Sequence, residues 1–228
     1  MNKKVVYTSV FGNYDSVVEP KLPLGWDWKC FNEKNSLPIY EDNMRNAKRY
    51  KILPHRFLSE YDVSIYIDGN YIIKKDVNEL VEKYLNDVNA AFHNHNAQPD
   101  YDKRNCIYDE ARTILMFGER NMKITPERGM KNYKDDPNII VNQMQKYMDN
   151  KFPAKNGLIT GGVILRNHNE DDCMGVMEDW WTEIKYGSKR DQLSFNYVAW
   201  KNKFKFNYMN MDCRNSEYFY LNKHTGKK

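Results

Sequence analysis

The stretch YDVSIYIDGNYII, residues 61–73, ends an apolar run on Asp68, Gly69 and Asn70 before apolar residues resume. A carboxylate and an amide oxygen two positions apart are hard ligands of the kind that Mg²⁺ and Mn²⁺ prefer. The glycine between them would let the backbone approach a phosphate or a sugar. Because Asp and Asn beside Gly are also ordinary turn residues, this stretch alone leaves open both a metal site and a turn.

Basic and polar residues elsewhere could complete a site around this stretch. Arg45 and Lys51 lie on a predicted helix that leads to it, where they could offset the charge of a pyrophosphate. A solvated basic helix face is an equally good interpretation. Asp191 begins a later helix and could cap it, or it could serve a site together with its polar neighbour Gln192.

Aromatic and histidine side chains give weaker signals. Tyr14 could stack on a base or simply pack at the end of a strand. His93 and His95 could bind a metal or an acceptor hydroxyl, although a hydrogen-bonded histidine at a strand end is the safer interpretation. Trp180 and Trp181 could form a platform for a sugar, with at least one of the two facing the core.

Small and acidic residues complete the set of candidates. Gly161 and Gly162 indicate either the close approach of a sugar or backbone, or a β-bulge. Cys106 is predicted to be a buried helix residue. Asp109 and Glu110 are candidate carboxylates for the side of a site that would hold a second substrate, the acceptor.

The elements that must position these residues follow from the hydrophobic pattern. Apolar and β-branched runs predict strands, and apolar residues at helical spacing predict helices. Strands are predicted at 3–11, 26–31, 63–69, 90–95 and 157–167, with short strands in the aromatic tail. Helices are predicted at 41–53, 77–86, 103–118, 136–149, 172–187 and 191–202, the first capped by Asp42 or Asn43 and stopped by Pro54.

This alternation of strands and helices predicts an α/β fold with a mixed, mainly parallel central sheet flanked by helices. Ligands of such sheets bind at the carboxyl ends of the strands. Residues 11–15, 68–70 and 93–96 all fall at predicted strand ends, so we expect them to share one site.

Bulk properties narrow the class of protein. The chain has 228 residues with 41% hydrophobic content and no Gly/Ser- or Pro-rich linker, which predicts one domain over residues 1–228. Basic residues exceed acidic ones by only four and are interspersed, which argues against a dedicated nucleic-acid binder. Four widely separated cysteines indicate reduced thiols. Without an apolar leader or spanning segment, we expect a soluble, cytoplasmic protein, with peripheral membrane contact still possible.

Several ordered blocks resemble GT-A glycosyltransferases, whose metal-binding Asp-x-Asp motif ends a central strand. RYKILPHRFLSEYDVSIYIDGNYII (49–73) is similar to the stretch before that motif in glycogenin-like and lipopolysaccharide galactosyltransferase-like enzymes. The blocks YTSVFGNYD, YKILPH, YIDGN, CIYDEA and RDQLSFNYV most resemble the mucilage-related glycosyltransferase-like family of plants, once called domain of unknown function 616. The resemblance covers about residues 4–200. Asn70 departs from the motif's second aspartate, and the closing HTGKK element (224–228) is shortened.

The resemblance implies a transferase that uses a nucleotide-sugar donor, with UDP the expected nucleotide, Mn²⁺ or Mg²⁺ as cofactor, and a glycan or polysaccharide as acceptor. It assigns the metal to Asp68, Asn70 and His224, and catalysis to Asp191 and Gln192. The donor-binding residues that it implies are Thr8, Phe11, Asn13, Tyr14, Arg45, Lys51, Asp68, Gly69, Gly161 and Gly162.

Three alternatives stay open. The reaction could invert the anomeric centre with Asp191 as base, or retain it with Asp191 or Gln192 beneath the donor sugar. The protein could also bind nucleotide-sugars or glycans without turnover, which Asn70 makes conceivable. A nucleotidyltransferase is disfavoured, because the loop SVFGNYDSVVEP has one glycine and no basic residue.

Overall fold

The computed structural model describes residues 3–98 and 103–225. Its strands are β1 (Lys4–Ser9), β2 (Trp26–Phe31), β3 (Val63–Ile67), β4 (Tyr71–Ile73), β5 (Ala90–Asn94), β6 (Ile159–Arg166), β7 (Asn207–Met209) and β8 (Phe219–Leu221). Its α-helices are α1 (Asn43–Ile52), α2 (Pro54–Phe57), α3 (Asn78–Tyr84), α4 (Ile107–Ile124), α5 (Pro137–Asp149), α6 (Asp171–Tyr186) and α7 (Phe195–Lys201). Short 3₁₀ turns lie at His95–Ala97, Pro126–Asn132 and Asp191–Leu193.

Six strands form one sheet in the order β2-β1-β3-β6-β5-β7. The pairs β1/β2, β1/β3 and β5/β7 are parallel, whereas β6 is antiparallel to both of its neighbours. Five strands therefore run in one direction with β6 opposed to them. The predicted α/β fold with a mixed, mainly parallel sheet is confirmed.

The sheet is covered on both faces, which explains why β3 is a continuous apolar run. Every residue of β3 is buried, as expected for a central strand of such a sheet. Alternation along β1 shows the two sides: Val5 and Tyr7 belong to one buried cluster and Val6 to the other. Because both faces are packed, polar groups of β3 can reach solvent only at its ends, where Asp68 lies.

Helix α1 begins and ends close to the predicted bounds. The Asp42 carboxylate accepts a hydrogen bond from the Met44 amide at 2.9 Å and so caps the helix. Its other end is held by Arg166, a fully buried residue at the end of β6. The Arg166 guanidinium donates to the carbonyls of Lys51 (2.8 Å) and Ile52 (3.4 Å). A cation at the carbonyl end of a helix interacts favourably with the helix dipole, so this contact fixes where α1 ends.

The predicted bounds of α4 were wrong at both ends. Residues before Ile107 are not helical, since Cys106 is extended with φ −145°; Cys106 is buried but precedes the helix. At the other end, Gly118 does not stop the helix. A Cβ on Gly118 would lie 2.0 Å from the Tyr133 ring, so this glycine serves close packing instead of chain reversal.

The segment predicted as one helix over 191–202 is broken. A 3₁₀ turn at Asp191–Leu193 is followed by Ser194, with φ −121°, and only then by α7. Asp191 therefore belongs to the 3₁₀ turn and not to α7. Among the described residues, no helix has the length and apolar character needed to cross a bilayer.

Candidate functional site

A cavity of about 480 Å³ lies where β3 ends and β6 begins. Eight of the predicted site residues line it: Lys51, Asp68, Asn70, Gly161, Gly162, Asp191, Gln192 and His224. The described part of its lining carries six basic and three acidic side chains. Such an excess of positive charge suits an anionic ligand.

Asp68 is placed by the end of β3. Its amide donates to the Gly162 carbonyl at 2.8 Å, which continues the pairing with β6 by one residue. Its Oδ1 accepts from the Tyr66 hydroxyl at 2.9 Å and from Lys51 Nζ at 3.3 Å. The side chain keeps 40% of its surface exposed, so the carboxylate can still meet a ligand in the cavity.

Two lysines of α1 converge on one carboxylate of the opposite wall. Asp191 Oδ2 lies 2.6 Å from Lys48 Nζ and 2.7 Å from Lys51 Nζ. Lys48 and Lys51 are three positions apart and therefore project from one helix face. The solvated-face interpretation of Lys51 is wrong, because its side chain is only 1% exposed.

The charges of this cluster shift its pKa values. Burial alone would raise the pKa of Asp191, but the Lys48 and Lys51 ammonium groups outweigh it and hold that pKa far below its usual range. Burial lowers the pKa of Lys48 to about 8, with Lys51 acting in the same direction and Asp191 against it. For Lys51, burial is outweighed by Asp191 and Asp68, which raise its pKa.

This environment alters the role expected of Asp191. Its side chain does not cap a helix: the turn has no side-chain cap, and Asp191 Oδ2 contacts the lysines instead. A general base works best with a pKa near the operating pH, so a strongly lowered pKa disfavours Asp191 as a base. The geometry supports a positioning role, in which Asp191 holds both lysines at the cavity wall.

Gly161 and Gly162 are needed by protein side chains. A Cβ on Gly161 would lie 2.9 Å from Asp191 Oδ2 and 3.3 Å from Lys51 Nζ, and one on Gly162 would lie 2.6 Å from the Tyr71 hydroxyl. The β5/β6 register also shifts here, since Phe92 pairs with Ile164 but His93 with Thr160. Both glycines thus lie in the predicted irregular stretch, where Gly161 makes room for the charged cluster and Gly162 for the Tyr71 side chain.

Asn70 and His224 are placed by the segment after β8. Asn70 Nδ2 donates to the Asn222 carbonyl at 2.7 Å, and the Asn222 amide donates to the Asn70 carbonyl at 2.9 Å. The Asn70 amide oxygen therefore faces away from that contact. His224 Nδ1 lies 3.0 Å from the Asp15 carboxylate, and its ring packs 4.7 Å from that of Tyr14.

These residues fit a divalent cation only as part of a larger set. Among the described residues, no group of three His, Cys, Asp or Glu side chains is arranged to hold a metal ion. Asp68, Asn70 and His224 line one cavity and offer a carboxylate, an amide oxygen and an imidazole. Mg²⁺ is commonly held by one or two carboxylates together with substrate phosphates, and this partial donor set suits that arrangement.

Other predicted site residues lie outside the cavity lining. Thr8 is fully buried, and Phe11 is buried with its ring stacked on Tyr50. Arg45 turns away, donating to Asp42 at 3.0 Å and to the Gly187 carbonyl at 3.0 Å. Exposed Asn13 has φ 52°, and Gly69 faces Val10 and Val17.

The weaker candidates divide in the same way. Trp180 and Trp181 are both buried, so the sugar-platform interpretation is wrong. His93 is fully buried beside Phe219, and burial lowers its pKa to about 3, which keeps it neutral. His95 and Glu110 do line the cavity, whereas Asp109 is exposed outside its lining. The last three residues of HTGKK lie outside the described residues.

Several residues that line the cavity were not predicted from the sequence. Lys48, Lys134 and Arg190 line the cavity, and Tyr71 reaches it from β4. For Lys48 a signal was present, since it shares a helix face with Lys51. For Lys134 and Arg190, which lie in connecting segments, no periodic pattern indicates where the side chains point.

Comparison with known proteins identifies relatives. The family model described as the TOD1/MUCI70 glycosyltransferase-like domain matches residues 23–224. The probable hexosyltransferase MUCI70 of Arabidopsis thaliana is 29% identical over 186 residues, which represent 78% of this chain and 29% of that protein. The chain therefore spans less than a third of the length of that curated relative.

Solved structures give weaker likenesses. Mouse xyloside xylosyltransferase 1 is 10% identical, with a TM-score of 0.42 over 91% of this chain and 84% of that one. A glycosyltransferase involved in glycosylation of the major capsid of PBCV-1 is 6% identical, with a TM-score of 0.43 over 91% and 80%. Neither likeness is close enough to carry an argument about function.

Proposed function

Because the chain belongs to the TOD1/MUCI70 glycosyltransferase-like family, we propose that it transfers a sugar from a UDP-sugar to a hydroxyl group of a glycan or polysaccharide. One observation carries the proposal: Asp68 and Asn70 share a cavity with Lys48 and Lys51, whose ammonium groups both contact the Asp191 carboxylate. This arrangement offers a nucleoside diphosphate both oxygen ligands for its cation and ammonium groups for its own oxygens.

Lys48 would contact the diphosphate directly, and Lys51 would add a fixed positive charge at the cavity wall. Lys51 is fixed between Asp68 and Asp191, and its raised pKa keeps it charged. Lys48 is slightly more exposed, at 17% of its side chain, and can meet the ligand. Since Asp191 orients both ammonium groups beforehand, they need no reorganisation as negative charge develops on the leaving diphosphate.

Asp68 and Asn70 are the residues that would hold Mn²⁺ or Mg²⁺ together with the diphosphate, and His224 lines the same cavity. A bound cation would supply Lewis-acid neutralisation of the departing diphosphate. The Tyr66 hydroxyl donates a hydrogen bond to Asp68 Oδ1 at 2.9 Å and so fixes the orientation of that carboxylate. Tyr66 stays protonated, because burial and then Asp68 raise its pKa well above the usual value.

UDP is expected to raise the melting temperature, and to raise it more with Mn²⁺ present. A ligand at 100 times its dissociation constant adds about 2.7 kcal/mol to the free energy of unfolding when only the folded state binds it. Thermal unfolding with UDP, with and without Mn²⁺, measures this effect. Uridine is the matched control: it lacks the diphosphate and should give no metal-dependent shift. Equal melting temperatures with and without millimolar UDP would contradict the proposed donor.

The affinity for UDP is expected to fall as the pH rises from 7 to 9. The pKa of Lys48 is about 8, so its ammonium group, and with it one contact to the diphosphate, is lost over this range. Linkage sets the fall at up to about tenfold. Calorimetric titration at each pH measures it. Lys48→Arg should remove this part of the pH dependence, since a guanidinium does not titrate in this range. Any titration of UDP itself affects the wild type and the variant equally, so the variant is the control. A wild type with the same pH profile as Lys48→Arg would contradict the assignment.

A second candidate is a protein that binds nucleotide-sugars or glycans without turnover. Asn70 in place of a second carboxylate, and the partial character of the donor set, favour it. Release of free sugar from UDP-sugars in the presence of Mn²⁺ separates the two functions. Binding of UDP without any hydrolysis or transfer over a panel of UDP-sugars would support the second candidate.

A further inference from the structure

Residues 112–134, which span most of α4 and the turn after it, carry as much net charge as the whole chain. They contain six of its 35 basic residues but only two of its 31 acidic ones. The remaining 29 residues of each sign cancel. The net charge of +4 is therefore concentrated in about a tenth of the sequence.

The basic side chains of this segment are available to a partner. Arg112, Arg120, Lys123, Arg128 and Lys131 are all exposed. Within residues 3–98 and 103–225, none of the five forms an ion pair or a side-chain hydrogen bond. Elsewhere on the surface, exposed cations such as those at positions 56, 75 and 146 are paired with glutamates.

Large apolar side chains are exposed among these charges. Met116, Phe117, Ile124 and Met130 have between 55% and 65% of their surface exposed. On α4 the spacing of Arg112, Met116, Arg120 and Lys123 places them on one helix face. We call the exposed basic and apolar side chains of residues 112–131 the basic apolar surface.

We propose that the basic apolar surface docks on a membrane that contains anionic lipid. Basic residues interleaved with exposed apolar side chains on a helix are typical of elements that lie at the bilayer interface. Anionic headgroups complement the unpaired cations, while the apolar side chains can enter the boundary of the acyl chains. A second group of exposed apolar residues, in the segment 16–41 around β2, lacks this complementarity, because that segment has three basic and four acidic residues.

Docking would orient the candidate site. Phe117 belongs to the basic apolar surface and also lines the cavity. Thr113 and Ile114 of the same helix line the cavity too. A membrane bound at this face would therefore lie beside the mouth of the cavity. The inference concerns a surface outside the donor-binding residues and does not depend on the proposed function.

Vesicle flotation tests the proposal. The protein is mixed with vesicles of phosphatidylcholine alone or with about 30% phosphatidylserine, at low and high salt. We expect binding only to the anionic vesicles, and release at high salt. Each basic residue near such a surface strengthens partitioning roughly fivefold, so Arg120→Gln/Lys123→Gln should weaken it about 30-fold. The control variant Lys21→Gln/Lys34→Gln has the same net charge as Arg120→Gln/Lys123→Gln, but its substitutions lie in the segment 16–41. It should bind the vesicles like the wild type.

A second variant keeps the test decisive. Ile124→Ser/Met130→Ser retains every charge and should also weaken flotation, because the apolar contribution is lost. Melting temperatures check that each variant is folded, and UDP binding is measured on the same samples. Equal binding to both vesicle types, or equal loss in the basic variant and its control, would overturn the proposal. Retention by a polyuridine oligonucleotide but not by anionic vesicles would also overturn it.

Discussion

Asp68→Asn is expected to abolish Mn²⁺-dependent binding of UDP and to reduce sugar transfer on the order of 100-fold or more. The change keeps the shape of the side chain and removes only its charge. Asp68 is 40% exposed at the end of a strand, so the fold should persist. An uncharged amide is a weak ligand for a hard cation, and the diphosphate would then leave without charge neutralisation.

The reciprocal variant is the matched control. Asn70→Asp adds a second carboxylate at the position where related motifs have one, and it should preserve or tighten Mn²⁺ binding. Calorimetric titration of Mn²⁺ and UDP into the wild type and both variants measures the effect. If Asp68→Asn binds the metal and nucleotide as the wild type does, residues 68–70 form only a turn, and the proposed function loses its central support.

Asp191→Asn is expected to lower the free energy of unfolding by about 3–5 kcal/mol, the usual cost of removing one partner of a buried ion pair. The carboxylate is 6% exposed and neutralises two ammonium groups. Without it, the buried charge of Lys51 is offset only by Asp68, 3.3 Å away. Urea unfolding measures the loss, and Asp109→Asn on the exposed side of α4 should change stability little. A loss below about 1 kcal/mol would contradict this account of the cluster.

The same carboxylate predicts how stability depends on pH. The folded-state pKa of Asp191 lies far below the unfolded value of about 3.9. The folded state therefore binds this proton less readily than the unfolded state, so stability is present above pH 4 and is lost as the pH falls below it. The Asp191→Asn variant should show a shallower loss of stability between pH 4 and pH 2.

The fold was predictable where hydrophobic periodicity was strong. The strand at 26–31 and the helices at 43–52 and 137–149 were confirmed within two residues or fewer at each end. Errors arose where tertiary contacts overrode local preference. The helix predicted over 103–118 continues past Gly118, which packs against Tyr133, and the helix predicted over 191–202 is interrupted at Ser194. A single sequence does not show what lies opposite a glycine.

Site residues that follow one another along a strand could be predicted from the sequence. Contacts between site residues of different elements could not. Asp68 at a strand end and Gly161 beside it were indicated by residue type and position. The pairing of Asp191 with Lys48 and Lys51 was not, because it joins residues about 140 positions apart and depends on which way each side chain turns. For the same reason the sequence left open whether Lys51 lies in the site or on a solvated helix face, whereas the structure buries it.

The contact between Asn70 and Asn222 has a consequence for the order of events during synthesis. Asp68 and Asn70 leave the ribosome early, but the strand that pairs with β4 lies at Phe219–Leu221, and Asn222 follows it. The closure of this loop spans 152 residues, a long-range pairing of the kind that forms slowly. The six-stranded sheet can assemble before that point, but the separate β4/β8 sheet that follows Asn70 cannot. Ribosome-bound chains that stop before residue 219 would therefore contain the strand that precedes Asp68 but lack the contact between Asn70 and Asn222.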